Sequence, residues 1–484
     1  MSKVIPKRSI GGCLTCKRRK KKCDERRPHC RRCELGDFDC LGYNLHDMGH
    51  SGGLCSTANF WPSPASTVQF EKSPPSHVLF QEIKSSLSDI PRGIMYDPTV
   101  LQEVTSLIVS RYIKLARESL FQAQLIPLEK GLLRRIGDSS ITRWSMYLGA
   151  RIITDLWNNH NLQKYLDWIF RFCQQIIETP SPNEPEPNLR SRLAALYDLA
   201  CFGSLIAGTA TGHSLLRYST SVLLRLAVLY PKIWASDSSI SISETFRSSQ
   251  YEITQFVVHD IITALTLGIP PLLQYDTSSS WVDKAPGHYM EWIYGFPVRL
   301  LIILAEINAW RTSRMIGSVA QNQSHSRNVA GLLSSWNPIV NYTDEPSNDI
   351  ARFAIQEAWR QATLIYLYMG MCEVNSADPR VERAVQQVVH LGNSITIGSA
   401  LERHILIPCL IAGIAARQEK HRATLRSKVS GELSRKVNPL VLLVRGFDFV
   451  AVLDHLWHGA GSGGSPVMWE DYVKSRCVVL PLHS

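Results

Sequence analysis

The stretch that decides the architecture of this chain reads Cys13-Leu-Thr-Cys16-Lys-Arg-Arg-Lys-Lys-Lys-Cys23-Asp-Glu-Arg-Arg-Pro-His-Cys30-Arg-Arg-Cys33-Glu-Leu-Gly-Asp-Phe-Asp-Cys40. Its six cysteines form two nearly superimposable halves, each a Cys-x2-Cys pair followed six residues later by a third cysteine. Zinc prefers four tetrahedral ligands, and thiolates suit it well. Two ions need eight bonds, so six sulfurs are enough if one cysteine of each half bridges. The spacing therefore predicts two zinc ions per chain, held by Cys13, Cys16, Cys23, Cys30, Cys33 and Cys40.

Two other interpretations of these cysteines stay open at this point. Six cysteines could form a disulfide framework, and a four-cysteine zinc ribbon could use the two Cys-x2-Cys pairs, which would leave Cys23 and Cys40 without a role. The segment Met1–Gly12 has no apolar core of the kind that a secretory signal needs. We therefore expect a reducing compartment, which favours metal binding over disulfides.

The positive charge of the chain is concentrated around this cluster. The 484 residues carry 52 Lys and Arg against 42 Asp and Glu, a net charge of +10. Residues 1–40 hold 13 of these cations and 5 of the acids, a net of +8, and the remainder holds 39 against 37, a net of +2. Such a concentrated positive field predicts a polyanionic partner, either nucleic acid or an anionic membrane surface.

The composition divides the chain into four segments. Residues 1–12 form a short basic arm, and residues 13–40 hold the cysteine cluster. Residues 41–94 are rich in Ser, Pro, Gly and His, which predicts a flexible linker, and no sustained heptad marks a coiled coil there. Residues 95–484 are predicted to be an all-helical domain, and no stretch in them is a convincing membrane span.

Helix signals recur through this last segment. Asp97-Pro98 and Asp378-Pro379 each combine an N-cap with a proline at the first helical position, and Gly392 is predicted to stop the second helix. An apolar stripe from Ile253 to Leu265 ends at Gly268-Ile-Pro-Pro271, which cannot continue a helix. Alternating strand patterns are scarce, so the predicted fold class is mainly α.

Some features outside the cluster are predicted to be structural. The polar patches Ser236–Ser243 and Gly459–Ser465 are expected to be loops. The remaining six cysteines sit mostly among apolar neighbours, where a cysteine is usually a small buried hydrophobe; they are Cys55, Cys173, Cys201, Cys372, Cys409 and Cys477.

The search for catalytic motifs predicts that the chain is not an enzyme. Gly212-His-Ser-Leu-Leu216 lacks the closing glycine of a nucleophile elbow, and Gly461-Ser-Gly-Gly-Ser lacks the Gly-Lys-Ser/Thr of a P-loop. His259 and Asp260 are adjacent on an apolar helix, where a structural role is the better interpretation. An enzyme in the helical domain, with the cluster as a tether, stays the minor alternative.

The stretch Cys13–Cys40 closely resembles the binuclear zinc clusters of fungal transcription factors. The resemblance implies that the first and fourth cysteines, Cys13 and Cys30, bridge the two ions. It further implies that Cys16 and Cys23 complete one tetrahedron and that Cys33 and Cys40 complete the other.

The resemblance also implies how DNA would be bound. In the family, the stretch that corresponds to Lys17–Lys22 is a short helix whose far end enters the major groove, and Lys and Arg pair with the N7 and O6 atoms of guanine. The bases would be contacted by Arg19 and Lys20, at a site of the CGG type. The other expected contacts, mainly with phosphate, come from Lys17, Arg18, Lys21, Lys22, Arg31 and Arg32.

Three segments downstream resemble the fungal-specific transcription factor domain, which is regulatory: Phe256–Leu272, Asp378–Val385 and Leu406–Ala416. Together the resemblances imply a nuclear, sequence-specific regulator of RNA polymerase II transcription. The resemblance to the family is also the reason to expect an activator. The expected partner is double-stranded DNA, and no membrane is expected. A homodimer and transcriptional co-regulators stay open as further partners. A separate alternative also stays open, in which the chain is itself a co-regulator whose helical domain mainly binds proteins.

Overall fold

The computed structural model describes residues 16, 21–26, 30–35, 98–122, 125–178, 184–248, 250–278, 288–317, 323–338, 346–431 and 442–482. The chain divides into two compact units, Met1–Ser66 and Thr67–Ser484, which we describe one at a time. The predicted basic arm 1–12 and linker 41–94 lie outside the described residues, and so does Asp97, the predicted N-cap. The segment boundaries predicted from composition stay predictions.

The described residues of the smaller unit include the short helix α1 (Arg31–Glu34), and Cys16 also has helical backbone. Cys30 is its N-cap, with extended backbone angles, and its sulfur accepts a hydrogen bond from the backbone N–H of Cys33. The first turn of this helix therefore begins directly on a cysteine of the cluster.

The larger unit is built from helices, as predicted. In chain order they are α2 (Pro98–Ser119), α3 (Leu125–Asp138), α4 (Ser140–Trp157), α5 (Leu166–Glu178), α6 (Glu186–Ala207), α7 (Thr209–Val228), α8 (Ile242–Arg247), α9 (Tyr251–Leu267), α10 (Tyr289–Tyr294), α11 (Val298–Met315), α12 (Gln323–Ser335), α13 (Pro346–Tyr366), α14 (Pro379–Ser394), α15 (Leu406–Ala415), α16 (Glu419–Ser430), α17 (Gly446–His458) and α18 (Trp469–Val479). Short 3-10 turns cover Gln163–Tyr165, Pro231–Ile233, Glu402–Ile405 and Ser462–Gly464, and a π-helical turn at Leu367–Met371 continues α13.

A small sheet corrects the expectation of a purely helical domain. Its strands are β1 (Trp234–Ser236), β2 (Ser239–Ser241) and β3 (Gln274–Asp276); β2 pairs antiparallel with β1 and parallel with β3. The prediction of a loop over Ser236–Ser243 is therefore wrong. The reason is tertiary: buried Ile240 anchors β2, and the backbone of this serine-rich stretch finds partners in a distant strand.

The predicted helix starts and stops are confirmed in part. The side chain of Asp378 accepts from the N–H of Arg380 and caps α14, as predicted. Gly268 ends α9 with φ +64°, also as predicted. Gly392, however, lies inside α14, which continues to Ser394. A Cβ there would make an ordinary van der Waals contact with the sulfur of Cys409 on α15, at 3.6 Å, so neither a stop nor a close approach requires a glycine at this position.

The apolar core of the larger unit is organised around α9, in which every residue from Ile253 to Leu267 is buried. One apolar cluster joins α9 to α11, α13–α15 and α17, and another joins it to α4–α7. Both clusters contain residues of α9, so this helix connects them into one body. Within the described residues, no helix is long and apolar enough to span a membrane.

The scattered cysteines agree in part with the prediction of burial. Cys173 and Cys409 are buried, and burial raises the pKa of each thiol to about 12. The other three described members, Cys201, Cys372 and Cys477, are only partly buried. Cys55 lies outside the described residues.

Candidate zinc cluster and nucleic-acid interface

Four of the six predicted ligands are brought together in the smaller unit. Cys16, Cys23, Cys30 and Cys33 are all buried and pack against one another. The sulfur of Cys16 lies 3.7 Å from that of Cys30 and 3.9 Å from that of Cys33. Cys13 and Cys40 lie outside the described residues.

These distances fit a zinc cluster better than a disulfide framework. A disulfide holds its sulfurs about 2 Å apart. Tetrahedral zinc with bonds of about 2.3 Å separates neighbouring thiolate sulfurs by about 3.8 Å. The ligand atoms of Cys16, Cys23 and Cys30 also lie within 4.8 Å of one another. This group contains cysteines of both halves, as an arrangement with bridging sulfurs requires.

Backbone amides surround the sulfurs. The N–H of Glu25 donates to the Cys23 sulfur at 3.4 Å, and the N–H of Cys33 donates to the Cys30 sulfur at 3.3 Å. Such hydrogen bonds compensate negative charge on a thiolate and fix its direction. Glu25 adopts the left-handed region with φ +59°, which turns the chain sharply after Cys23.

Asp24 joins the two halves of the module, a role that the sequence analysis missed. Its two carboxylate oxygens accept hydrogen bonds from the N–H groups of Arg31 and Arg32, at 3.0 and 3.1 Å. Desolvation alone would raise the pKa of Asp24, but these backbone donors lower the pKa overall. An acid directly after the third cysteine, inside a basic run, was the signal that could have indicated this contact.

The described basic residues around the cluster face the solvent. Lys21, Lys22, Arg31 and Arg32 are exposed, while the sulfurs beside them are buried. The N–H of Lys21 donates to the carbonyl of Cys16, the residue before the basic run, at 3.0 Å. Arg32 Nη1 donates to the carbonyl of Lys22 at 3.2 Å, which holds the second half against the end of that run.

The remaining predicted DNA contacts lie outside the described residues. They are Lys17, Arg18, Arg19 and Lys20. The division between base contacts and phosphate contacts stays a prediction.

His259 and Asp260 in the larger unit are both engaged in structural contacts. His259 Nε2 lies 2.8 Å from the hydroxyl of Tyr294 and also meets the hydroxyl of Tyr197. The carboxylate of Asp260 accepts from two backbone amides after the Pro270-Pro271 turn, at 2.8 and 3.1 Å, and from the hydroxyl of Tyr275. These bonds fasten α9 to its following turn, in keeping with the predicted structural role.

Both parts of the chain match known protein families. The model of the fungal Zn(2)-Cys(6) binuclear cluster domain matches residues 11–48, and that of the fungal specific transcription factor domain matches residues 171–478. Among curated proteins, White-opaque regulator 2 of Candida albicans is 51% identical over 41 residues, which is 8% of this chain and 9% of that protein.

Other relatives match over similarly short stretches. The Aspercryptin biosynthesis cluster-specific transcription regulator atnN of Emericella nidulans is 58% identical over 36 residues, 7% of this chain and 6% of its own. Arginine metabolism regulation protein II of Saccharomyces cerevisiae is 50% identical over 38 residues, 8% of this chain and 4% of its own. The matches thus span less than a tenth of each relative. No solved structure matches.

Proposed function

Because this chain belongs to the family with the fungal specific transcription factor domain and carries a Zn(2)-Cys(6) cluster, we propose that it is a sequence-specific activator of RNA polymerase II transcription. The chain is a fungal transcription regulator with a zinc-binding, DNA-binding module. The proposal adds the polymerase, the activating role and a CGG-type site. One observation carries it, namely the grouping of Cys16, Cys30 and Cys33 sulfurs beside exposed cations.

Two zinc ions per chain are part of the proposal. Cys13 and Cys30 bridge the ions, Cys16 and Cys23 complete one tetrahedron, and the second is completed by Cys33 and Cys40. The close approach of Cys16 to Cys30 supports a shared ion for that pair. The approach of Cys16 to Cys33 is of similar length, so these distances alone do not divide the sulfurs between two ions. Zinc would supply the folding energy of a segment too short to build its own apolar core.

DNA recognition is proposed to divide between two groups of cations. Arg19 and Lys20 read the guanines of a CGG-type triplet through the acceptors of the major groove. The phosphate contacts come from Lys17, Arg18, Lys21, Lys22, Arg31 and Arg32. The exposure of the four described members of this second group supports their access to a DNA backbone.

The setting proposed for this activity is the nucleus. Basic runs such as Lys17–Lys22 are also read as import signals. The larger helical unit is proposed to regulate the output of the DNA-bound protein through co-regulators or a second copy of the chain.

The test is selection of bound sequences from random double-stranded DNA by the full-length protein, followed by a reporter in fungal cells. We expect enrichment of CGG-type triplets and reporter activation that depends on them. Cys16→Ala should abolish both, whereas Cys372→Ala, a partly buried cysteine of the larger unit, should leave both unchanged. Enrichment of no sequence, or equal binding by Cys16→Ala, would refute sequence-specific binding through the cluster. A selected site without CGG would refute only the proposed triplet.

A further inference from the structure

Arg32 in the second half of the cysteine repeat holds the chain on both sides of Cys23 in the first half. Its Nη1 donates to the backbone carbonyl of Lys22 at 3.2 Å. Its own backbone N–H donates to the carboxylate of Asp24 at 3.1 Å. Lys22 and Asp24 are the two neighbours of Cys23 along the chain, so one residue fixes the backbone before this cysteine and the side chain after it.

The adjacent Arg31 allows a direct comparison, since it lies in the same helix α1 and carries the same charge. Both arginines are exposed, and both donate a backbone N–H to the carboxylate of Asp24. Within the described part of the chain, the guanidinium of Arg31 makes neither a hydrogen bond nor an ion pair, whereas that of Arg32 is bonded to Lys22. The two residues therefore differ by one side-chain bond.

The bond from Arg32 reaches the last carbonyl of the basic run Lys17–Lys22. The proposed base contacts, Arg19 and Lys20, precede this carbonyl by two to three residues. Side chains that recognise a ligand have to be held within about 0.5 Å of their productive geometry, and hydrogen bonds from a neighbouring segment are one way to hold them. The direction of the peptide at Lys22 therefore affects where the run places its side chains.

The bond is exposed, but both of its ends are fixed by other contacts. The carbonyl of Lys22 directly precedes Cys23, whose side chain is buried among the sulfurs. The backbone of Arg32 lies in α1 and is bonded to Asp24. Closing the bond therefore orders little more than the Arg32 side chain, and a charged donor makes it stronger than a bond between neutral groups.

A guanidinium can make this internal bond and still face a polyanion. It carries five N–H donors in a rigid fork, and the carbonyl of Lys22 uses one of them. The remaining donors stay available to a phosphate oxygen. Because the side chain is already held before DNA arrives, it loses less conformational freedom on binding than an untethered arginine does.

We propose that Arg32 is a positioning residue for base recognition: its bond to the carbonyl of Lys22 fixes the end of the basic run against the second half of the module. Its outward donors make the phosphate contact. The inference rests on the proposed recognition of double-stranded DNA, and it adds a residue that affects the sequence preference without touching a base.

The test compares Arg32→Ala with Arg31→Ala in the full-length protein. Each variant loses one charge and keeps the backbone N–H that Asp24 accepts, so each should reduce the slope of log affinity against log salt by about one. Only Arg32→Ala also loses the bond to Lys22. Its ratio of affinities for the selected site and a scrambled site should fall by about threefold or more, while Arg31→Ala should keep the wild-type ratio. Fluorescence anisotropy over a salt series measures both quantities.

Two further variants serve as controls. Arg32→Gln loses the charge but keeps a side-chain N–H donor for the carbonyl of Lys22, so its affinity ratio should lie between those of Arg32→Ala and the wild type. Lys474→Ala removes a charge from an exposed side chain of the larger unit and should change neither the slope nor the ratio. Molecules that fail to fold reduce the amount of bound DNA but alter neither quantity, so a loss of structure does not imitate the expected result.

An equal affinity ratio in Arg32→Ala and Arg31→Ala would overturn the proposal, whether both ratios fall or neither does. A ratio for Arg32→Gln no higher than that for Arg32→Ala would also overturn it. The titrations use the sequence that the selection returns, so a selected site other than CGG leaves this test intact. A wild-type ratio of one would instead refute sequence-specific binding itself, and the two failures are therefore distinguishable.

Discussion

The sulfur of Cys16 lies 3.7 Å from that of Cys30, although the two residues belong to different halves of the cysteine repeat. The sulfurs of the two halves therefore meet in one group. The distance between these two sulfurs equals that between neighbouring thiolates on one tetrahedral zinc ion. The zinc content of variants can test which sulfur is shared.

Removing Cys30 should cost more zinc than removing Cys33. In the proposed arrangement, Cys30 ligates both ions and Cys33 only one. Mass spectrometry of the native full-length protein should find two zinc ions in the wild type, none in Cys30→Ala and one in Cys33→Ala. Equal zinc loss in the two variants would contradict the assignment of Cys30 as a bridge. Cys372→Ala, in the larger unit, should keep both ions.

Asp24→Ala should loosen the module without touching a sulfur. The substitution removes the acceptor for the backbone amides of Arg31 and Arg32, which join the second half to the first. We expect several-fold faster loss of zinc to a chelator. Asp24→Asn keeps one acceptor oxygen and should fall between Asp24→Ala and the wild type. A chelation rate for Asp24→Ala equal to that of the wild type would show that this contact does not hold the halves together.

Lys22 and Arg19 should differ in what they contribute to DNA binding. Lys22→Ala removes a proposed phosphate contact and should reduce the slope of log affinity against log salt by about one, with the sequence preference unchanged. Arg19→Ala removes a proposed base contact and should relax the preference for a CGG-type site. Fluorescence anisotropy over a salt series, with a CGG site and a scrambled site, measures both quantities. The assignment is wrong if Lys22→Ala changes the sequence preference.

Gly268 and Gly431 offer a matched pair for the stability of the larger unit. Both end helices in the left-handed region, at φ +64° and +65°. An added Cβ would lie 2.8 Å from Val473 at Gly268 but would meet nothing within 4 Å at Gly431. Gly431→Ala should therefore cost only the conformational penalty, about 1–2 kcal/mol of unfolding free energy.

Gly268→Ala should cost more than Gly431→Ala, because Val473 on α18 has to move as well. Urea unfolding followed by far-ultraviolet circular dichroism compares the two variants. Equal losses would mean that the contact between Gly268 and α18 relaxes without cost.

Buried histidines should make the larger unit sensitive to acid. Burial lowers the pKa of His259 to about 3 and the pKa values of His213 and His404 to about 4. Between pH 6.5 and about 4 the unfolded chain binds protons at these histidines and the folded chain does not. The free energy of unfolding therefore falls as the pH falls through this window and is fully retained above pH 6.5.

His404→Gln isolates one of these contributions. The ring nitrogens of His404 lie 3.0 and 3.1 Å from the carbonyl oxygens of Tyr294 and Ser119, and glutamine can still donate to one of them. The variant should be less stable than the wild type at pH 7 and lose less stability between pH 7 and pH 5. Thermal melts followed by tryptophan fluorescence at the two pH values measure this difference. Parallel losses in both proteins would exclude His404 as a contributor.

Much of the architecture was predictable because it rests on local signals. The cap at Asp378, the stop at Gly268 and the apolar stripe of α9 each depend on residues within a few positions of one another. Gly392 was misassigned as a stop because α14 continues through it to Ser394, and a glycine inside a helix looks the same along the sequence as one that ends it. The strand at Ser239–Ser241 was missed because only one of its two partner strands, β1, is local, and the other, β3, comes after the whole of α9.

The sequence by itself determined the metal chemistry and the place of the positive charge. Cysteine spacing and ligand number are countable along a chain, because a metal ion fixes which atoms have to meet. Only the tertiary structure decided that Asp24 joins the two halves and that β2 pairs with β3. Those features depend on which residues approach one another across the fold, and the spacing of residues along the chain does not encode that.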